Sequence, residues 1–188
     1  MEHRKLLNIE LGRVDASAYL DLPDSGFVVV LDNIRSAHNV GSAFRTCDSF
    51  KADCLWLCGI CAVPPSAEIR KSALGSEESV PWRYSSRTLD VVEGLHKEGY
   101  SIVSVEQTVG SVSLEDFVPD FWNPGTGSGR RYAFIFGNEV YGVSQEVIDA
   151  SDMVVEIPQF GTKHSLNVSV SIGVILWHFV ELKLINSK

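Results

Sequence analysis

Three stretches of this 188-residue sequence place amide, carboxylate, hydroxyl and guanidinium side chains close to glycines. The first, residues 39–45, contains Asn39, Gly41 and Arg45. Asn39 can cap a helix, and Gly41 lets another group approach the first helical turn closely. Arg45 follows about one and a half turns later. This spacing alone does not decide whether Arg45 faces the sheet edge or, as in an ordinary capped helix, the solvent.

The second stretch, residues 137–142 (Gly-Asn-Glu-Val-Tyr-Gly), directly follows an apolar run. Two glycines at this spacing suit a tight loop whose amides face a ligand. The loop lacks both the lysine-bearing pattern of a phosphate loop and the three-glycine dinucleotide fingerprint. Glu139 is predicted to brace an arginine or to bind hydroxyl groups, and an ordinary strand-to-helix turn is the alternative.

The third stretch, residues 157–169, contains Ser165, Leu166 and Asn167. Ser165 is a good N-cap for a final helix, and that role alone would explain its presence. His164 beside Ser165 suggests a hydrolase pair. The sequence has no Gly-x-Ser-x-Gly elbow, however, and adjacent side chains point in different directions, so this alternative is disfavoured.

Apolar runs of strand length alternate with helical patterns along the chain. Strands are predicted at 27–31, 54–60, 100–105, 132–136 and 153–157, and helices at 39–50, 67–73, 89–97 and 166–184. This alternation indicates an α/β fold with a mainly parallel sheet, in which ligands bind beyond the carboxyl ends of the strands. A short helix at 4–11 and a flexible surface loop at 123–129 are also predicted.

The composition, with 45% hydrophobic and 21% charged residues, fits one compact domain over residues 1–188. Within it we expect an N-terminal helical extension at 1–26 and an α/β core at 27–188. The longest apolar run, 168–180, is interrupted by serine, glycine and histidine and is shorter than a membrane span. The charged start of the chain is not followed by an apolar signal core. We therefore expect a cytoplasmic protein without membrane association.

The net charge of −8 weighs against a general polyanion binder, because neutralised phosphates usually drive nucleic-acid affinity. Residues 34–45 and 158–170 nevertheless contain bases and no acid, and basic doublets lie at 70–71 and 130–131. A locally positive cleft on an acidic body is compatible with this distribution. The candidate nucleic-acid contacts are Arg35, His38, Arg45, Arg70, Lys71, Lys163 and His164.

Four cysteines, Cys47, Cys54, Cys58 and Cys61, lie within fifteen residues. They include a single Cys-x-x-Cys at 58–61 rather than the two knuckles of a zinc site. Cys54 and Cys58 are spaced along one face of a predicted strand and do not converge. Buried free thiols in a reducing compartment explain them, and no metal site is predicted.

Together the three stretches resemble the three ordered motifs of the SpoU (TrmH) branch of the SPOUT methyltransferases. The matching positions are Asn39-x-Gly41-x-x-x-Arg45, then Gly137-x-Glu139-x-x-Gly142, then Ile157-Pro158, Gly161 and Ser165-Leu166-Asn167-Val168-Ser169. Residues 71–75 and 80–81 also resemble the linker after that family's second strand. The similarity extends from residue 27 to the end of the chain, and the three motifs in order are far more specific than any one of them.

The resemblance implies an α/β-knot, a mainly parallel sheet flanked by helices with a C-terminal trefoil knot, which is a rare exception among folds. It also implies transfer of a methyl group from S-adenosylmethionine to a ribose 2′-hydroxyl of RNA, leaving S-adenosylhomocysteine. The family binds this cofactor in bent form, largely through backbone groups. The corresponding positions here are Val105, Glu106, Gln107, Gly137, Asn138, Ile157, Leu166 and Asn167.

The resemblance places Arg45 beside the acceptor hydroxyl, with Asn39, Glu139, Ser165 and Asn167 around it. Because a guanidinium holds its proton far above neutral pH, two roles for Arg45 stay open. With a depressed pKa it takes the proton, aided by a substrate phosphate. Alternatively it stays charged, clamps that phosphate and stabilises the developing alkoxide. The clamp is favoured because it does not require the guanidinium to lose its proton. In this role Glu139 orients the guanidinium, and Ser165 and Asn167 place the substrate.

Family precedent also implies a homodimer in which the apolar final helix meets its symmetry mate. Because no RNA-reading domain is appended, we expect tRNA rather than rRNA as the substrate. A knotted module that binds S-adenosylmethionine or RNA without catalysis is the alternative, although the intact motif residues disfavour it. A nucleotide-binding oxidoreductase is disfavoured because no predicted strand is followed by the three-glycine fingerprint.

Overall fold

A computed structural model describes residues 3–12, 14–15, 18–123 and 125–186. The strands are β1 (Phe27–Asp32), β2 (Leu55–Cys58), β3 (Trp82–Ser85), β4 (Tyr100–Val105), β5 (Val112–Ser113), β6 (Arg131–Phe136) and β7 (Met153–Glu156). The α-helices are α1 (Ala37–Phe50), α2 (Ala67–Ala73), α3 (Ser76–Ser79), α4 (Thr88–Lys97), α5 (Gln145–Asp149) and α6 (Val168–Asn186). Single 3-10 turns lie at Asn8–Leu11, Tyr19–Asp21 and Leu114–Asp116.

The seven strands form one sheet in the order β3-β2-β1-β6-β4-β7-β5, and every neighbouring pair is parallel. The predicted α/β fold with a parallel sheet is therefore confirmed. Because β6 lies between β1 and β4, the segments that follow these three strands meet at one edge of the sheet. The trefoil knot and the division of the chain into an extension and a core stay predictions.

Helices cover both faces of the sheet, so β1 is buried along its whole length. Successive residues of a strand point to opposite faces. Phe27, Val29 and Leu31 accordingly join a large core with α1 and α6, whereas Val28 and Val30 join a smaller core with α4 and α5. This two-sided burial explains why β1 is a continuous apolar run in the sequence.

The final helix, α6, is both a core element and a partly exposed one. Its Phe179 ring packs against Phe27 and Phe134, with ring centroids 5.4 and 5.3 Å apart. Its outer side leaves Trp177 52% exposed. Contrary to the sequence-based expectation, the helix runs on to Asn186 and is long and apolar enough, by length and composition alone, to cross a membrane. The same helix buries Ile172, Ile175 and Leu176 against the sheet.

The start of the chain differs from the prediction. Instead of a helix at 4–11, one 3-10 turn forms at Asn8–Leu11, because a short helix without packing partners is marginal. Leu6 and Leu7 are exposed there. Residues 1, 2, 13, 16 and 17 of the predicted N-terminal extension lie outside the described residues, as does Pro124 in the predicted loop at 123–129. That loop closes on itself through the Asn123 amide, which donates to the Ser128 carbonyl at 2.8 Å.

Four short elements were absent from the prediction: β3, α3, β5 and α5. The strand β3 forms an edge of the sheet and leaves Arg83 and Tyr84 exposed, so it has no apolar run to mark it. The strand β5 has two residues and forms the other edge. Elements this short and this exposed leave little hydrophobic pattern in a sequence.

Candidate functional site

A pocket of about 550 Å³ opens at the carboxyl ends of β4, β6 and β7. All eight positions predicted to contact the cofactor line it: Val105, Glu106, Gln107, Gly137, Asn138, Ile157, Leu166 and Asn167. Glu139, His164 and Ser165 line it as well, whereas Asn39 and Arg45 do not. The structure thus brings the second and third motifs to one cavity, and the individual roles of these residues stay predictions.

The loop at 137–144 is folded tightly upon itself. The Asn138 and Gly142 backbones exchange two hydrogen bonds, of 2.9 and 2.8 Å. A Cβ on Gly137 would lie 2.0 Å from the Val143 nitrogen. Gly142 has a φ of +70°, and a Cβ there would lie 2.1 Å from a Glu106 carboxylate oxygen. Gly137 is therefore required by the loop's own packing, and Gly142 by its positive φ and by the neighbouring Glu106.

The amides of this loop are mostly engaged within the protein. The Asn138 side-chain oxygen accepts from the Val140 and Tyr141 amides at 2.8 and 3.2 Å. The Glu106 carboxylate accepts from the Val143 amide at 3.0 Å. The prediction that the loop's amides face a ligand is therefore wrong for residues 140–143, because these groups instead fix the shape of the loop.

Asn39 links the three motifs. Its side-chain nitrogen donates to Glu139 Oε1 at 3.0 Å, and its side-chain oxygen accepts from Asn167 Nδ2 at 3.3 Å. Asn39 is 7% exposed, so these partners satisfy a buried amide. Glu139 and Asn167 follow Asn39 in the sequence by 100 and 128 positions. We call Glu139, Asn39 and Asn167 the amide bridge.

Glu139 is held as a carboxylate. Burial by itself raises its pKa, but hydrogen bonds from Asn39 and from the Arg35 and Ser36 amides outweigh this effect. The net result is a pKa below the ordinary value. The two amides donate at 3.1 and 3.3 Å. Since a lowered pKa makes a weaker base, the geometry favours Glu139 as a fixed anion over a proton acceptor.

The first motif is built differently from the prediction. Ser36, not Asn39, caps α1: its hydroxyl accepts from the Asn39 amide at 3.3 Å. What approaches Gly41 closely is α2, since a Cβ on Gly41 would lie 2.2 Å from Ser72 Oγ and 2.3 Å from the Ile69 carbonyl oxygen. The glycine of this motif therefore serves helix packing.

The third motif also differs in its cap. Asn167, not Ser165, caps α6, with its side-chain oxygen accepting from the Ser169 amide at 2.8 Å. One side chain thus both starts the final helix and joins the amide bridge. Ser165 is exposed in the loop before it. That loop is tied to the end of β4, because the Gln107 side chain donates to the His164 carbonyl at 3.1 Å.

Arg45 lies on α1, exposed and apart from the pocket lining. The partners of the Glu139 carboxylate are Asn39 and two backbone amides, so the predicted orientation of the Arg45 guanidinium by Glu139 is wrong in this chain. The helical register that buries Asn39 turns Arg45 outward.

The other predicted nucleic-acid contacts are all exposed. Arg35 lies two residues before α1, His38 lies in its first turn, and Lys163 and His164 lie in the loop before α6. On α2, Arg70 pairs with Glu78 at 3.6 Å and Lys71 pairs with Glu68 at 2.7 Å, which reduces the positive charge expected there. Arg131 lies at the amino end of β6, away from the pocket, with its guanidinium 4.4 Å from the Tyr100 ring centroid.

The four cysteines are free thiols, as predicted. Burial raises the pKa of Cys54 and Cys61 to about 11 and that of Cys58 to about 12. Such thiols are inert near neutral pH. Among the residues that the structure describes, no group of three or more His, Cys, Asp or Glu side chains is placed to hold a metal ion.

Several residues of the site were missed by the sequence argument. Tyr141, Gln159 and Ser171 line the pocket. Asp32 and Asn33 were predicted only as the end of a strand. They accept hydrogen bonds from the 137–144 loop, Asp32 from the Ser144 amide and Asn33 from the Asn138 side chain. The available signal was an acid directly after five apolar residues, a position that a strand covered on both faces does not otherwise favour.

The comparisons with known proteins agree with this geometry. A family model described as the SpoU rRNA Methylase family matches residues 26–177. A 23S rRNA (guanosine-2′-O-)-methyltransferase, RlmB, of Neisseria meningitidis serogroup B is 28% identical over 156 residues, which cover 83% of this chain and 58% of that enzyme. A tRNA (guanosine(18)-2′-O)-methyltransferase of Aquifex aeolicus is 29% identical over 161 residues, which cover 84% and 70% of the two chains.

A crystal structure of an AdoMet-bound rRNA methyltransferase from Sinorhizobium meliloti is similar over 85% of this chain and 58% of that one, with a TM-score of 0.72 at 25% identity. The chain spans little more than half the length of several curated relatives that it matches.

Proposed function

The chain belongs to the SpoU rRNA methylase family, and from that premise we propose that it methylates a ribose 2′-hydroxyl of RNA with S-adenosylmethionine as donor. The relatives named as tRNA and 23S rRNA 2′-O-methyltransferases support this reaction class. In the reaction a carbon–oxygen bond forms to the 2′-oxygen, the methyl carbon–sulfur bond breaks with its electron pair staying on sulfur, the hydroxyl proton passes to water and S-adenosylhomocysteine is released.

The observation that carries the proposal is the amide bridge, of which Glu139 and Asn167 line the pocket. Asn39, Glu139 and Asn167 come from three separate motifs and are held together by two hydrogen bonds. A network that joins the first turn of α1, the 137–144 loop and the cap of α6 fixes the relative positions of a cofactor pocket and an acceptor site.

The pocket fits S-adenosylmethionine. Its volume of about 550 Å³ lies within the range of small-molecule sites. Val105, Ile157 and Leu166 offer apolar contact, and Gln107 and Ser165 offer hydrogen-bonding groups. When bound, the cofactor supplies an electrophilic methyl group on a sulfonium that departs as a neutral thioether.

The protein's own contribution is alignment and charge. Glu139, kept anionic by its donors, positions Asn39 and the start of α1. Arg45, free of Glu139, offers a planar fork to a substrate phosphate and stabilises the alkoxide that develops as the hydroxyl loses its proton. Ser165 supplies an exposed hydroxyl for the acceptor nucleotide.

Calorimetry with S-adenosylmethionine and a tritium-transfer assay on RNA test the proposal together. We expect binding in the micromolar range, about 1–100 μM, and transfer of label to alkali-resistant dinucleotides, the signature of a methylated 2′-oxygen. Binding without transfer to any tRNA or rRNA indicates a non-catalytic module. Failure to bind S-adenosylmethionine and S-adenosylhomocysteine contradicts both interpretations.

For the RNA class we propose tRNA. The support is the Aquifex relative, which is named as a tRNA (guanosine(18)-2′-O)-methyltransferase and aligns over 70% of its length. Mass-spectrometric mapping of 2′-O-methyl sites in tRNA and rRNA from a deletion strain decides this. Loss of a methyl group from rRNA alone contradicts the preference.

We further propose that the chain works as a homodimer in the cytoplasm. The support is an apolar stripe on the outer side of α6: Val170 is 49%, Trp177 52% and Leu184 56% exposed, at helical spacing. Buried free thiols suit a reducing compartment. A single monomeric species at micromolar concentration in analytical ultracentrifugation contradicts the dimer, and Trp177→Glu is expected to dissociate it.

A further inference from the structure

Asp32, at the end of β1, is a buried carboxylate that accepts hydrogen bonds from three neutral donors. It is 1% exposed. Its Oδ1 accepts from Asn33 Nδ2 at 2.9 Å and from the Thr88 hydroxyl at 2.5 Å, and its Oδ2 accepts from the Ser144 amide at 2.9 Å. A buried charge is costly unless hydrogen bonds satisfy it. The position of Asp32 therefore depends on these three donors.

Two of these donors connect Asp32 to the 137–144 loop. The Ser144 amide is a direct link, since Ser144 ends the loop and precedes α5. Asn33 is an indirect link, because its carbonyl accepts from Asn138 Nδ2 at 2.6 Å while its side chain donates to Asp32. Asn138 in turn fixes the Val140 and Tyr141 amides.

A second carboxylate holds the same loop from the neighbouring strand. Glu106, directly after β4, accepts from the Val143 amide at 3.0 Å and from the Gln107 amide at 2.9 Å. The consecutive amides of Val143 and Ser144 are thus bound to carboxylates at the ends of two different strands. The loop that carries Glu139 is fixed at its far end by these two acids.

We propose that Asp32 is a positioning residue for the site: it sets the place of the 137–144 loop, and so of Glu139 in the amide bridge, and touches neither cofactor nor RNA. A carboxylate can accept from three donors at once. In the isosteric asparagine the NH2 group replaces one carboxylate oxygen, and it cannot accept from the donor that faces it. This inference rests on the proposed function for its catalytic consequence, although its structural part does not.

Two matched pairs of variants test the inference. Asp32→Asn weakens the links to the loop, and Thr88→Val removes a hydrogen bond from the same carboxylate on the side away from the loop. Ser144→Pro deletes the amide donor at a residue whose φ of −61° suits proline, and Ser144→Ala keeps that donor.

The first readout is amide hydrogen exchange in the ligand-free protein. We expect Asp32→Asn and Ser144→Pro to speed the exchange of the Val140, Tyr141 and Gly142 amides about five- to tenfold relative to the core strands. Thr88→Val and Ser144→Ala should leave that ratio unchanged. If Asp32 acts through the Ser144 amide, the loss of exchange protection in the Asp32→Asn/Ser144→Pro double variant should be smaller than the sum of the two single losses.

The second readout is methyl transfer, for which kcat/KM should fall about 10- to 100-fold in Asp32→Asn and Ser144→Pro only. Equal loop exchange in Asp32→Asn and Thr88→Val overturns the inference, whatever the activity. A wild-type protein that transfers no methyl group overturns the proposed function, and the exchange experiment still decides the role of Asp32.

Discussion

The candidate site has a held half and a free half, which differ in how their side chains are engaged. In the held half, Asn39, Asn138, Glu139 and Asn167 all have hydrogen-bond partners from other segments of the chain. In the free half, Arg45 and the stretch 160–167 are exposed, with Phe160 at 97%. Asn167 is the residue at which the two halves meet.

The difference separates two physical tasks. Side chains that already have partners give a pocket its shape before any ligand arrives, and this preorganisation lowers the entropy that binding must remove. Exposed cations, hydroxyls and aromatics gain partners only when another molecule, such as RNA, supplies them. Substitutions in the held half should therefore damage stability and cofactor binding, and those in the free half should leave stability nearly unchanged.

The largest effect on activity is expected in the free half. Arg45→Ala should reduce methyl transfer about 100- to 1000-fold, because the charge that we propose stabilises the alkoxide is lost. The affinity for S-adenosylmethionine should change less than about twofold and the free energy of unfolding by less than about 0.5 kcal/mol. Tritium transfer, calorimetry and thermal unfolding measure the three quantities. Arg45→Lys keeps the charge but not the fork and should recover part of the activity; full activity in Arg45→Ala refutes the assignment.

A pair of glycines compares the halves directly. Gly137→Ala in the held half brings a Cβ within 2.0 Å of the Val143 nitrogen, so the backbone must move. We expect a loss of about 2–3 kcal/mol in the free energy of unfolding and a loss of cofactor binding. Gly161→Ala in the free half meets nothing within 4 Å and should change stability by less than about 0.5 kcal/mol. Chemical denaturation of both variants checks this, and equal losses would erase the distinction between the halves.

Removing the centre of the amide bridge should have a smaller effect. Asn39→Ala leaves Glu139 and Asn167 without their common partner and should lower the free energy of unfolding by about 1–3 kcal/mol. Ser165→Ala is the control from the free half, expected to be near neutral for stability. Chemical denaturation measures both, and a stable Asn39→Ala variant with unchanged transfer shows that the bridge is dispensable.

The smallest effect expected is a pH dependence from Glu139. Because its pKa is lower in the folded chain, it stabilises the fold fully above the pKa of an unfolded glutamate, about 4.3, and this contribution is lost as the pH falls through the folded value. Glu139→Gln should therefore be less stable than wild type at pH 7 and should approach it as the pH falls below that range. Unfolding midpoints of both proteins across this range provide the measurement, and a constant difference speaks against a lowered pKa.

The sequence predicted the parts of the molecule that burial and glycine chemistry dictate. The strands at the centre of the sheet were visible because both of their faces are covered, and the helix at 67–73 agrees with α2 to the residue. The pocket lining followed from the family motifs. The partners within the motifs were not visible, because a hydrogen bond between Asn39 and Asn167 depends on helix register and on which residue caps each helix. For the same reason Ser36 and Asn167 took the capping roles assigned to Asn39 and Ser165.

The position of β6 between β1 and β4 affects how the chain acquires its site during synthesis. When the ribosome has produced β4, the strand that joins it to β1 does not yet exist, and residues 131–136 must enter between them later. Asn39 meets its last partner only when Asn167 emerges, 128 residues after it. Contacts over such separations form slowly. A nascent chain that stops before Asn167 therefore carries all seven strands but no assembled amide bridge.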